Sequence, residues 1–237
     1  MEKRAMKMKR LKKITKKIFK KKYFVFGDSH TEVFQYINKK DLLRFIEFEV
    51  TLVGGATAQG MRNPNSKTNA LEIFSNKIYS LSKKSTLFFL LGEVDTGFVI
   101  WYRALKYQES VEVQLLESIN HYIKFLEQII RDGYKKIIVI SAPLPTILDD
   151  QDWGEVANLR KTVKATLRER TDLTLEYNKI LRQKVIDLGC DFLCTDEYLL
   201  NTSTGVIDDR FRNKDKNNHH LDLENYADVI IQVQNEK

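Results

Sequence analysis

Short apolar runs, several closed by glycine, alternate along this chain with longer stretches of helical periodicity. Lys22–Phe26 (KYFVF) ends at Gly27, and Ile46–Val53 (IEFEVTLV) alternates apolar and polar residues before Gly54-Gly55. Thr86–Leu91 (TLFFLL) ends at Gly92; Lys136–Ile140 (KIIVI) and Cys190–Cys194 (CDFLC) are two further runs. Continuous apolar runs of this kind suit parallel strands covered on both faces. Between them, residues 66–82 and 108–132 repeat apolar side chains at i, i+3, i+4 and i+7, the second stripe being Val113, Leu116, Ile119, Ile123, Leu126 and Ile130. Residues 156–188 form a long charged helical pattern stopped by Gly189, and 221–234 read as a last helix. The alternation predicts an α/β fold, a three-layer sandwich with a five-stranded parallel sheet between helices. In such folds functional groups gather beyond the carboxyl ends of the strands. That rule singles out Gly27–His30, Gly54–Thr57, Gly92–Asp95 and Ser141–Pro145.

The chain of 237 residues has three prolines, no Gly/Ser-rich linker and no repeat, which predicts one domain. Its net charge of +7 is uneven. Residues 1–22 hold twelve Lys/Arg and one Glu, so the other 215 residues carry a net −4. The division is therefore a basic extension, 1–21, and a mildly acidic domain, 22–237. Wound as a helix, the extension lines up Met8, Leu11, Ile14, Ile18 and Phe19 among lysines. That pattern fits an anionic membrane surface; a solubilising tail, a helix docked on the protein, or a segment for a protein or RNA partner shares it. The acidic body and the lack of an aromatic-basic stripe predict no nucleic-acid partner. No signal-like or spanning apolar run occurs. Cys190 and Cys194 would share a strand face too far apart to bridge. These features predict a cytoplasmic protein, with the extension allowing peripheral attachment at the inner membrane face. Oligomeric state is not encoded in any feature of the sequence.

Four short blocks carry candidate chemistry. Gly27-Asp28-Ser29-His30 sits where the first strand turns into a helix, which puts the Ser29 hydroxyl at the open strand edge near a helix N-terminus. Asp-Ser before a helix is also an ordinary N-cap pair. Gly54-Gly55-Ala56-Thr57 frees a backbone N–H of the kind that stabilises an oxyanion. Gly92-Glu93-Val94-Asp95 follows the third strand, and Asn217-Asn218-His219-His220-Leu221 precedes the last helix.

On these blocks the chain from Lys22 onward resembles the SGNH, or GDSL-type, hydrolase family. The resemblance implies the flavodoxin-like topology of that family and a serine esterase or acyltransferase. It implies Ser29 as nucleophile, His220 as general base in preference to His219, and an oxyanion hole from the N–H groups of Ser29 and Gly55. Two positions depart from the family pattern. The asparagine of the third block is Val94, and the aspartate three residues before the histidine is Asn217. Asp215, Asp222 or a backbone carbonyl would then have to orient the imidazole. The segment from Gly92 to Arg103 is similar to a variant branch associated with bacterial surface-polysaccharide biosynthesis. It would let Glu93, Asp95 or Arg103 replace the missing donor or bind a sugar, with Asp28 also near the site. The alternative reading of Glu93, Asp95 and Arg103 is a set of ion pairs fixing the loop. Pro143 and Pro145 would wall the cleft or simply stiffen a loop. His30, next to Ser29, should point away from it.

The resulting expectation is an esterase or acyltransferase for O-acyl groups of a glycan or its lipid-linked precursor. Its competitor is a catalytically impaired binding or scaffold protein in glycan assembly. Neither requires a cofactor, and no Cys/Asp/Glu set accompanies His219-His220 at metal-ligand spacing.

Overall fold

The computed structural model describes residues 20–149, 163–215 and 218–236. The amphipathic reading of the extension and the position of Asn217 lie outside them. Five strands, β1 (Lys21–Gly27), β2 (Ile46–Leu52), β3 (Thr86–Leu90), β4 (Lys136–Ile140) and β5 (Asp191–Leu193), form one parallel sheet in the order β2-β1-β3-β4-β5. The chain moves from β1 to β2 on one side and then crosses to β3 on the other. The order therefore reverses between β1 and β3, and a crevice opens at their carboxyl ends.

Helices cover both faces. Seven are used below: α1 (Glu32–Lys40), α2 (Ala70–Tyr79), α3 (Ile100–Tyr107), α4 (Val111–Arg131), α5 (Leu167–Asp187), the single turn α6 (Asp196–Leu199) and α7 (Leu223–Asn235). Strand side chains divide between two cores with period two. Phe26, Leu87 and Phe89 pack with Phe74 and Ile78 of α2, Leu115, Ile119 and Leu126 of α4, and Tyr177 and Leu181 of α5. Val25, Phe88 and Leu90 face the other way, against Val33, Phe34 and Ile37 of α1 and Tyr226, Ala227 and Ile230 of α7. That two-sided burial is why β3 reads as an unbroken apolar run: all five of its residues are buried.

Several boundaries and faces differ from expectation for local reasons. Helix α1 is nine residues long, too short to announce a stripe. Helix α2 starts only after Asn69, held at φ 50° in the left-handed region, and α4 only after its N-cap Ser110. Between β3 and α4 the chain forms a π-helical turn (Asp95–Val99) and then α3, which ends at Gln108 with φ 55°. Of the expected α4 stripe, Ile119 and Leu126 are buried, Ile123 and Ile130 half-buried, and Val113 and Leu116 exposed; the helix also buries Leu115, Tyr122, Phe125 and Ile129, which turns the stripe toward its aromatics. Residues 156–162 of the long charged pattern lie outside the described residues; in the described part a helix starts at Leu167, where Thr166 and Glu169 form a capping box. Cys190 and Cys194 lie just outside β5 as free, half-buried thiols, which burial pushes up to about 11. Among the described residues no helix is long and apolar enough to cross a membrane.

At Gly27, the last residue of β1, a Cβ would meet the Leu90 carbonyl oxygen at 2.1 Å and Thr31 Cγ2 at 2.7 Å. Gly27→Ala is expected to cost about 1–3 kcal/mol through overpacking, read as a lower urea midpoint with the slope unchanged. An unaltered midpoint would mean that the two strands have room to separate.

Candidate active site

The first strand delivers Ser29. After Gly27, Asp28 caps a 3-10 turn (Ser29–Thr31) that runs into α1. Its carboxylate Oδ1 accepts from the His30 backbone N–H at 2.8 Å, and Thr31 Oγ1 donates to the Asp28 carbonyl at 2.7 Å. Capping is thus done by Asp28, and the Ser29 hydroxyl is left for another partner. That partner is His220, whose Nε2 lies 2.7 Å from Ser29 Oγ across 191 positions of sequence.

The imidazole is oriented from its other nitrogen. Nδ1 lies 2.8 Å from Oδ1 of Asn218, and the same Oδ1 accepts from the His220 backbone N–H at 3.0 Å. A backbone N–H can only donate, so the Asn218 atom facing it is the amide oxygen and not the nitrogen. Facing an acceptor, Nδ1 must then carry the proton, which leaves Nε2 of the neutral ring as acceptor for the Ser29 O–H. The turn is held from below: Asn218 N donates to the Asp215 carbonyl at 2.9 Å, Thr146 Oγ1 donates to the His219 carbonyl, and Arg212 Nη1 donates to the Thr146 carbonyl. Beyond it, an isolated bridge between Arg212 and Leu221 and the Asp222 N-cap start α7. Thr146 belongs to the buried loop of residues 141–146 that contains Pro143 and Pro145; its Ala142 N–H donates to Asn178 Oδ1 of α5 at 2.8 Å.

Burial lowers the His220 pKa below its ordinary value, and the nearby His30 ring lowers it further; Glu32, Glu93 and Asp28 pull the other way. His220 is therefore neutral at neutral pH. His30 is buried, 5.2 Å from the His220 ring centroid to centroid, with Nδ1 3.1 Å from Asp28 Oδ1. The expectation that it points away from the site is corrected: a 3-10 turn, not an α-helix, sets its direction. The His219 ring lies 4.2 Å from that of His220.

The second and third blocks are tied together by Asp95. Wholly buried, its carboxylate accepts from Ala58 N at 2.7 Å, Gln59 N at 2.9 Å and Ser118 Oγ of α4 at 2.8 Å. Burial raises its pKa to about 6 against the opposing pull of those three donors. The ion-pair expectation for this loop is thereby corrected. Asp95 anchors the 54–59 loop, while Arg103 reaches Gln114 Oε1 at 2.5 Å and Glu117 at 3.0 Å and braces α3 on α4. Asp95 and Arg103 thus do not pair with each other, and each is engaged by other protein groups. Glu93 is buried, with Oε1 close enough to Gly97 that a Cβ there would sit at 3.1 Å. Within the anchored loop Gly55 adopts φ 70°, which favours glycine. Among the described residues, the N–H groups of Ser29 and Gly55 have no protein acceptor. Val94, half-buried, offers no side-chain donor.

Sequence reasoning missed Asn218, Ser118 and the proximity of His30. Asn218 had a readable signal, since Asn two residues before a backbone N–H is the spacing of an Asx turn. Neither Asp215 nor Asp222 orients the ring: Asp215 supplies its backbone carbonyl to Asn218, and the Asp222 side chain caps α7 through Asn225 N at 3.1 Å. Among the described residues no group of three or more metal-ligating side chains occurs.

No family model matches the chain, and no curated protein matches it. Solved structures do. A putative acylhydrolase from Bacteroides fragilis aligns with a TM-score of 0.61 at 14% identity over 91% of this chain and 87% of its own. A GDSL-like lipase from Bacteroides thetaiotaomicron aligns at 0.60, with 13% identity over 92% and 89%. An acetyl xylan esterase aligns at 0.54, with 14% identity over 89% and 98%. At such identities the likeness is one of fold, and the fold is that of the SGNH/GDSL-type hydrolases.

Removing the Asp95 carboxylate would leave two buried backbone N–H groups and a buried hydroxyl unpaired. Asp95→Ala is expected to lose about 3 kcal/mol of stability, since each orphaned group costs about 1–3 kcal/mol. Urea unfolding checks this, and a loss below about 1 kcal/mol would mean that the loop is held by something else.

Proposed function

We propose that the protein is a serine-dependent ester hydrolase or O-acyltransferase, with Ser29 as nucleophile and His220 as general base. The observation that carries the reading is the Asn218–His220–Ser29 chain of contacts at the carboxyl ends of the strands, with its proton order set by the Asn218 oxygen. Ser29 Oγ attacks the ester carbonyl while its proton passes to His220 Nε2. The carbonyl oxygen becomes an oxyanion facing the N–H groups of Ser29 and Gly55. Collapse of the tetrahedral intermediate breaks the ester C–O bond, and His220 returns the proton to the leaving alkoxide. The acyl group stays on Ser29 until water or an acceptor hydroxyl, deprotonated by His220, removes it. The acetyl xylan esterase among the structural neighbours supports an O-acylated glycan as the substrate class, which agrees with the resemblance of residues 92–103 to surface-polysaccharide proteins.

Two observations favour the second reading, an impaired enzyme retained for binding. Val94 supplies no donor, and loss of one oxyanion donor typically costs about 10²–10³ in rate. Asn218, being neutral, orients the ring without offering it a negative charge. On the leading reading these features slow the reaction without abolishing it.

A fluorophosphonate probe is expected to label the wild type at Ser29 and to lose labelling in both Ser29→Ala and His220→Ala. No labelling of folded wild-type protein would favour the binding reading. With an ester substrate, kcat/KM should plateau above pH 6.5 and fall as pH drops through the lowered His220 pKa, because protonated imidazole cannot accept the serine proton. A midpoint above 6.5 would contradict the assignment. Val94→Asn, which restores a donor at the third block, should raise kcat by about 10-fold or more; an unchanged kcat would place the oxyanion elsewhere.

A further inference from the structure

The end of the domain opposite the crevice carries exposed apolar side chains among exposed cations. Phe45, 62% exposed, and Leu42, 44% exposed, stand out from the loop between α1 and β2. The Phe45 carbonyl accepts from Lys21 N at 2.7 Å, so this loop adjoins the residue at which the basic extension enters β1. Lys39, Lys40 and Arg44 flank it and are exposed, as is Lys21. Among the described residues none of these four cations has a carboxylate partner; Lys40 lies 5.5 Å over the Tyr36 ring and Arg44 5.3 Å over that of Phe45. Lys20 and Lys22 are partly neutralised, by Asp41 at 2.7 Å and Glu49 at 3.4 Å. The nineteen residues before Lys20 add nine more Lys/Arg and a single Glu.

We infer that this end of the domain docks on an anionic phospholipid surface, with Phe45 and Leu42 entering the headgroup region and Lys21, Lys39, Lys40 and Arg44 meeting phosphates. Two independent features converge: the charge and apolar stripe of the extension in sequence, and an apolar tip ringed by cations where that extension joins the fold. Exposed aromatic and aliphatic side chains bind an interface when lipid charge offsets the approach. The exposed apolar side chains Leu105, Tyr107, Val113 and Leu116 on α3 and α4 have a more mixed setting: Lys106 and Arg103 lie over the Tyr107 ring, Arg103 is paired with Glu117, and Glu109 and Glu112 are near in sequence.

The docked orientation has a consequence for the substrate. Strand β1 runs from Lys21 at the docking end to Gly27 beneath Ser29, and its seven residues at ~3.3 Å each span about 20 Å. The crevice therefore opens away from the bilayer. It would reach acyl groups on a soluble glycan or on the distal sugars of a lipid-linked one, but not an ester within the membrane.

The test uses the full chain and co-sedimentation with vesicles of phosphatidylcholine alone or mixed with phosphatidylglycerol, and does not depend on any catalytic activity. Binding is expected to the mixed vesicles only and to weaken with salt. Leu42→Ser with Phe45→Ser, and separately Lys40→Glu with Arg44→Glu, should each weaken it at least tenfold with the extension intact, while Leu105→Ser with Val113→Ser should not. Unchanged melting temperatures establish that the variants are folded. Equal binding to pure phosphatidylcholine, or body variants that bind like wild type, would overturn the inference. So would tighter binding to RNA than to the mixed vesicles. In a background lacking Cys190 and Cys194, a polarity-sensitive dye at Phe45→Cys should shift to the blue on anionic vesicles, and one at Asp215→Cys should not. The reverse pattern would overturn the orientation.

Discussion

A neutral imidazole has one N–H, and the site depends on which nitrogen holds it. In His220 the choice is made by Asn218, whose amide oxygen is identified by the backbone N–H that it also accepts. With the proton fixed on Nδ1, Nε2 has a lone pair to turn toward Ser29. Everything else in the fold positions that one ring. Ser29 rides on the turn into α1 and His220 on the turn into α7, and α1 and α7 bury their apolar faces in the same core against β1 and β3. The contact between two residues far apart in sequence is thus a product of helix packing, with the loop of residues 141–146 and Arg212 bracing the turn from outside.

Two tasks that one aspartate performs in a serine triad are divided here. Orientation falls to the neutral Asn218. Charge comes from carboxylates that do not touch the ring's Nδ1: Asp28, Glu32 and Glu93 favour the protonated imidazole, while burial and the neighbouring His30 oppose it and prevail. The outcome is a ring that is neutral at neutral pH, with no carboxylate on Nδ1 to favour its protonated form. A similar economy holds in the loop with Gly55, where the wholly buried Asp95 fixes backbone geometry at the cost of its own burial. Its three donors make it a bracket between the second and third blocks, and α4 joins through Ser118.

Much of this was legible in the sequence because strand burial writes itself plainly. Runs such as TLFFLL and KIIVI are apolar since both faces are covered, and the glycines after them mark the crevice. Gly27 and the order of the blocks placed Ser29 and His220 at one edge. What stayed hidden was set by tertiary contacts without a periodic signature. The α4 stripe is right at Ile119 and Leu126 but not at Val113 and Leu116, because its apolar residues occupy two overlapping faces and only tertiary packing selects the one with Leu115 and Tyr122. The Asp95 bonds reach across 23 to 37 positions of sequence, and two of the three come from backbone amides that sequence cannot flag. The role of Asn218 was obscured because the family's spacing drew attention to Asn217 instead.

The measurement that bears most directly on the account is the tautomer of His220, read from the 15N shifts of a histidine-labelled sample well above pH 6.5. The account requires Nδ1 to appear protonated and Nε2 unprotonated, with the pattern lost on Asn218→Leu. A ring protonated on Nε2 would contradict it, since Ser29 would then face a donor and the proton path to His220 would not exist.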